Sequence, residues 1–148
     1  MTDCPFCAVV SGQAPVLGGV ICEDNLILAR HNDDGDAPYY LGSIIVQTKR
    51  HNEGGVAEIS DEEAQAAGLL VTRVGRALKA CLGAEKVYAY TFGEAFPHLH
   101  TFVVARYRDT PPAYWRLGVA DWPDAPRGGA DEIATLAGRL RAELQHPA

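Results

Sequence analysis

Nowhere in this chain do about 18 apolar residues run together, so no membrane-spanning helix is expected. Excess basic charge is missing too: 13 Lys and Arg stand against 19 Asp and Glu, for a net charge of -6. Nucleic-acid binding runs on clustered cations, so no nucleic-acid partner is expected. The opening MTDCPFC lacks a basic region followed by an apolar run, so no signal peptide is expected, and a cytoplasmic protein is. Internal repeats and low-complexity tracts are absent. Cysteine is sparse, with four residues, Cys4, Cys7, Cys22 and Cys81. Cys4 and Cys7 form a C-x-x-C with no second copy, and in a reducing compartment such a pair reads as metal or redox chemistry. Cys22 and Cys81 read as packing residues.

What the chain does have suits one domain over residues 1–148, since 47% of its residues are hydrophobic and 22% charged. CPFCAVVSG reads as a cysteine knuckle running into a short helix that stops at Gly12. GGVICED and NLILARHN alternate as two strands joined by a turn at Asp24-Asn25, with His31 an ordinary hairpin residue. DDGDAPYY is a loop, and GSIIVQTKRH a strand centred on Ile44, Ile45 and Val46. Ser60 and Glu63 form a capping box at the start of a long helix, whose apolar stripe runs through Leu69, Leu70, Val74, Leu78 and Leu82 to a Gly83 cap. KVYAYTFGE and PHLHTFVVARY are two more strands. The stretch TPPAYWRLGVADWPDAPRGG is irregular, its Trp115 and Trp122 either buried or laid over a site. Asp131 then caps a final helix through Ile133, Leu136, Leu140 and Leu144. Strands in succession with helices set apart predict an α+β domain with an antiparallel sheet.

Chemistry concentrates in FPHLHTFVV. Side chains alternate along a strand, so His98, His100 and Phe102 share a face. Imidazole binds metals, and it also attacks phosphorus as a neutral nucleophile. Cys4 and Cys7, with His51 and one histidine of this strand, would close a tetrahedral Cys2His2 site. Plainer readings stand beside these: His98 and His100 as satisfied core histidines, and His51 as an exposed residue after Lys49-Arg50.

HLHTFVV, CPFCAVVSGQAP, VICEDNLILARHN and GSIIVQTKRH together resemble, over residues 4–108, the histidine triad (HIT) superfamily of nucleotidyl hydrolases and transferases. The resemblance implies a HIT-like fold, an antiparallel five-stranded sheet with one long helix and a C-terminal helix. It implies a structural zinc on Cys4, Cys7, His51 and His98. It makes His100 the nucleophile toward the α-phosphorus of a nucleotide or nucleotide conjugate. It implies a homodimer, with the Leu69 to Leu82 helix a candidate for the interface. Around the substrate it implies Asn32, where an aspartate usually holds the ribose; Gly93, in a short phosphate-facing loop; His98; and Phe102, where a third histidine usually helps hold the phosphate. Phe102 donates no hydrogen bond, Ala95 replaces a common serine, and Ser43 replaces the usual histidine of its strand. A zinc-stabilised binding protein with little or no catalysis is therefore the alternative to an enzyme.

Overall fold

The computed structural model describes residues 3–53 and 55–146. A short helix α1 (Pro5–Val10) leads into strands β1 (Cys22–Glu23) and β2 (Ile27–His31). Next come β3 (Tyr39–Tyr40) and β4 (Ser43–Thr48), then the long helix α2 (Asp61–Leu82). Strands β5 (Lys86–Tyr90), β6 (His100–Arg106) and β7 (Arg127–Gly128) precede the last helix, α3 (Ala130–Gln145). Five strands form one antiparallel sheet in the order β1-β2-β4-β6-β5, the α+β architecture expected.

Period-2 alternation divides this sheet into two unlike faces. One presents Ala29, Ile44, Val46, Val103 and Ala105 to α2 and α3, whose Leu70, Val74, Leu78, Leu136 and Leu140 complete the main core. The other face carries Arg30, Gln47, His100, Phe102 and Val104. Cross-strand register sets His100 opposite Gln47, and Phe102 between Ile45 and Tyr90. Phe6 of α1 covers one end of this second face. Tyr40, Val119 and Ala125 cover the other end around Val104. The helix α2 begins as expected: the Ser60 hydroxyl accepts from the Glu63 N–H, and the Glu63 carboxylate accepts from the Ser60 N–H. It ends at Gly83 in the left-handed region, φ 62°.

Five expectations are corrected. Strand β6 starts at His100, so His98 lies ahead of it. The cause is local: Pro97 precedes, and the Leu99 N–H is taken by the Asn52 side chain at 3.2 Å. His51 likewise lies beyond the end of β4. Tyr39 and Tyr40 are not loop but pair with Arg127 and Gly128 in a two-stranded ribbon. Gly42, at φ 100°, turns the chain from that ribbon into β4, and a Cβ there would stand 2.8 Å from Leu82. The cap of α3 is Gly129, not Asp131; its N–H donates to the Glu132 carboxylate at 2.9 Å, so the helix begins before Asp131. Leu69 leaves the stripe, 59% exposed. Trp115 is also largely exposed, its ring 4.4 Å from the Arg106 guanidinium.

Candidate active site and metal centre

Three separate elements bring four ligating side chains together. The turn into α1 supplies Cys4 and its first turn Cys7, the chain after β4 supplies His51, and the chain before β6 supplies His98. Their ligand atoms all lie within 4.8 Å of one another. Nδ1 of His98 stands 3.4 Å from Cys4 Sγ and 3.6 Å from Cys7 Sγ, and Nδ1 of His51 stands 3.4 Å from Cys7 Sγ. Metal–ligand lengths of about 2.3 Å for sulfur and about 2.0–2.1 Å for nitrogen, at tetrahedral angles, put S and N about 3.5 Å apart. The separations here match that figure. His98 is buried, and its Nε2–H donates to the Thr48 carbonyl at 2.7 Å, which leaves the Nδ1 lone pair facing the sulfurs. Burial pushes the His98 imidazole below its ordinary value and the Cys7 thiol above its own. Two thiols and two correctly faced imidazoles fit a tetrahedral zinc site with no open position.

His100 adjoins this cluster through the backbone. Its Nδ1–H donates to the His98 carbonyl at 2.7 Å, so Nε2 carries the lone pair and faces away from His98. No hydrogen-bond partner of Nε2 is found among the described residues. Phe6 stacks on the His100 ring with centroids 4.2 Å apart and planes 21° apart, and Phe102 meets it edge-on at 5.3 Å.

The other expected site residues fall at different distances from this centre. Asn32 lies just past β2, where its Nδ2 donates to the Ser43 hydroxyl at 3.4 Å and its Oδ1 accepts from the Asp34 N–H at 3.0 Å. Gly93, at φ 85°, lines a recess of about 160 Å³ with Glu53, Phe92, Glu94 and His98. That recess borders His98 and not His100. Phe102 stacks on Tyr90 at 5.3 Å, so apolar packing takes the place of a third donor.

Four contributors escaped the sequence reading. Phe6 lies between the two knuckle cysteines and is 3% exposed. Gln47 stands opposite His100; its Nε2 donates to the Phe6 carbonyl at 3.0 Å, and its Oε1 accepts from Arg30 Nε at 3.4 Å. Arg30 is buried and paired with Asp33 at 2.9 Å. Asn52 ties Thr48 to Leu99, joining the two segments that carry His51 and His98. Polar residues inside the apolar strands ILARH and SIIVQT were the available signal for Arg30 and Gln47.

No family model and no curated protein matches the sequence. Solved structures do match. A HIT-like protein of Bartonella henselae, described as involved in cell-cycle regulation, superposes with a TM-score of 0.70 at 17% identity, over 96% of this chain and 97% of its own. A hypothetical histidine triad nucleotide-binding protein of Sulfolobus tokodaii gives 0.72 at 18% identity, over 96% and 92%. A Zn-bound histidine triad family protein of Mycobacterium smegmatis gives 0.68 at 24% identity, over 99% of each chain. This chain has the HIT-like fold. Within that fold its Cys2His2 cluster joins the N-terminal knuckle to the sheet, and His100 opens the strand that follows.

Proposed function

We propose that this HIT-like protein binds nucleotides over His100 and hydrolyses or transfers their nucleotidyl group through a covalent nucleotidyl-histidine. The observation that carries the reading is the 2.7 Å hydrogen bond from His100 Nδ1–H to the His98 carbonyl. A fixed tautomer with a free Nε2 lone pair is what attack on phosphorus needs. Nε2 would form the N–P bond as the bond to the leaving group breaks. Water or another acceptor would then displace Nε2 and regenerate the imidazole. Asn32 would take the ribose hydroxyls and Phe102 would border the phosphate; Gly93 lines the neighbouring recess, and His98, with both ring nitrogens committed, acts on the substrate side through the carbonyl that orients His100. A zinc ion on Cys4, Cys7, His51 and His98 would supply structure and no reactive position, fixing the carbonyl that orients His100. A cytoplasmic setting fits, since a reducing compartment keeps the two thiols free for metal. A homodimer is part of the proposal; β5 ends the sheet order and has an open side for pairing.

Phe102 favours a second reading. Its side chain offers no hydrogen-bond donor to charge developing in the transition state, and its ring packs on Tyr90 instead. Loss of one such donor costs about a hundredfold or more in other systems. A zinc-stabilised nucleotide-binding protein with little turnover would follow. Intact-mass spectrometry separates the two. The zinc-loaded protein is mixed briefly with nucleoside phosphoramidates, dinucleoside polyphosphates and nucleotide sugars, with His100→Ala alongside. A mass gain of one nucleotidyl group, absent in the variant, is expected. Turnover that survives in His100→Ala would rule out the covalent route, and neither adduct nor turnover from a zinc-holding protein would establish the binding reading.

A further inference from the structure

The His100 imidazole is the first ring of a series that leads out over the β5 edge of the sheet. Phe102 meets it edge-on at 5.3 Å, Tyr90 stacks on Phe102 at 5.3 Å and 26°, and Phe92 tilts against Tyr90 at 5.4 Å. Exposure rises along the series: His100 is 6% exposed and Phe92 59%. Phe102 and Tyr90 are half-buried between them. Single exposed phenylalanines are ordinary. Phe92 differs in ending a run of ring contacts that starts at the proposed nucleophile and passes through Phe102 and Tyr90.

Two observations decide which part of a substrate meets these rings. Asn32, proposed above to hold the ribose, lies on the β2 side, and β5 is three strand spacings away across β4 and β6, roughly 14 Å. Nucleoside and ring series thus lie on opposite sides of His100, so the rings face the leaving group. Residues 91–97 also include no Lys or Arg and contribute Glu94. A second phosphate passing over this edge would meet apolar rings and a carboxylate. We infer that the substrate's leaving group carries a planar aromatic ring within a few bonds of phosphorus, and that this ring stacks on Tyr90 and Phe92. The inference rests on the proposed reading of His100 as nucleophile and of Asn32 as the ribose position.

An amide substrate joins phosphorus to its leaving amine through a P–N bond. The Nε2 lone pair forms the N–P bond, and the P–N bond to the amine breaks with its electron pair leaving on nitrogen, which takes a proton from solvent. Water then attacks phosphorus and loses a proton, Nε2 departs, and the products are a nucleoside monophosphate and a ring-bearing amine.

The test uses two adenosine phosphoramidates, one of 2-phenylethylamine and one of n-butylamine. The ring is remote from nitrogen in the first, so the amines leave with similar intrinsic ease. Three readings are taken: kcat/KM with the zinc-loaded protein, calorimetric affinity for His100→Ala, and sedimentation. Each is repeated with Phe92→Ala, whose exposed position spares the fold. Stacking on one or two rings should favour the phenylethyl compound about tenfold in rate and in affinity, and Phe92→Ala should bring that ratio to within about twofold of one. Equal handling of both compounds overturns the inference, and so does a preference that persists in Phe92→Ala. A dimer that falls apart in Phe92→Ala also overturns it, because the ring then serves a second copy of the chain. An adduct on His100 without ring preference removes this inference alone. A binding preference without any adduct leaves the stacking intact and removes the nucleophile.

Discussion

His31 is fully buried, and both of its ring nitrogens are used. Nδ1–H donates to the Asn32 carbonyl at 2.8 Å, and Nε2 accepts from the Gly42 N–H at 3.1 Å. That second bond needs a neutral ring. Burial pushes the imidazole below its ordinary value of 6.5. The unfolded chain therefore binds the proton more readily, and His31 contributes stability that is complete above pH 6.5 and is lost as pH falls below it. Urea unfolding at pH 7.5 and 5.5 should show the loss in the wild type. His31→Gln should be weaker at pH 7.5 by about 1–3 kcal/mol, because the Gly42 N–H loses its partner, and should show a smaller drop on acidification. An equal drop in both proteins would assign the pH effect elsewhere. In the sequence His31 is one more residue of an alternating strand. Its partner Gly42 lies beyond the turn between β3 and β4, and only the fold brings the two together.

The helices and the strand centres were legible because each repeats a short-range pattern. Ser60 and Glu63 announce α2, and the structure holds both bonds of the box. Glu63 also receives a two-pronged contact from Arg50, at 2.9 and 2.7 Å, which ties the helix start to the residue before His51. Ser60→Ala should lower stability by about 1 kcal/mol in chemical denaturation. Glu63→Ala should lower it further, since it removes the cap and the Arg50 contact together. If both variants cost the same, the Arg50 contact contributes nothing, as its 55% exposed side chain permits. Where partners lie far apart in the chain, the sequence was silent. The start of β6 depends on Asn52, and the β3–β7 ribbon joins segments on either side of most of the domain. The metal cluster was legible as one Cys2His2 site, with His98 singled out as the fourth ligand only by the family resemblance; what the sequence does not show is the packing that closes it, since nothing local places α1 against the chain ahead of β6. The same holds for Phe6, which looks like an ordinary apolar residue until it stacks on His100.

At the scale of the molecule, α1 is the piece with least of its own to hold it. Six residues are too few for a helix to persist alone. Its attachments include the Phe6 ring on His100, His98 and Phe96 and under the Arg30 guanidinium, the Gln47 bond to the Phe6 carbonyl, and the two cysteines. If zinc joins those cysteines to His51 and His98, its removal should act first on α1. A metal present at about a thousand times its dissociation constant adds about 4 kcal/mol, which for a domain of this size is roughly 8–16 °C in Tm. Chelation should lower Tm by an amount in that range, and re-added zinc should restore it. Hydrogen exchange then locates the change. Amides of residues 5–10 and 98–100 should lose protection, while those of α2 from Leu70 to Leu78, packed in the main core, should keep theirs. Loss of protection throughout would make the metal a condition of the whole fold. No change would mean that the four side chains meet without a metal. The predicted pattern ties structure to chemistry: with α1 released, the His98 carbonyl is free to turn, the His100 tautomer is no longer fixed, and the chelated protein should lose the nucleotidyl adduct while its sheet and long helices stand.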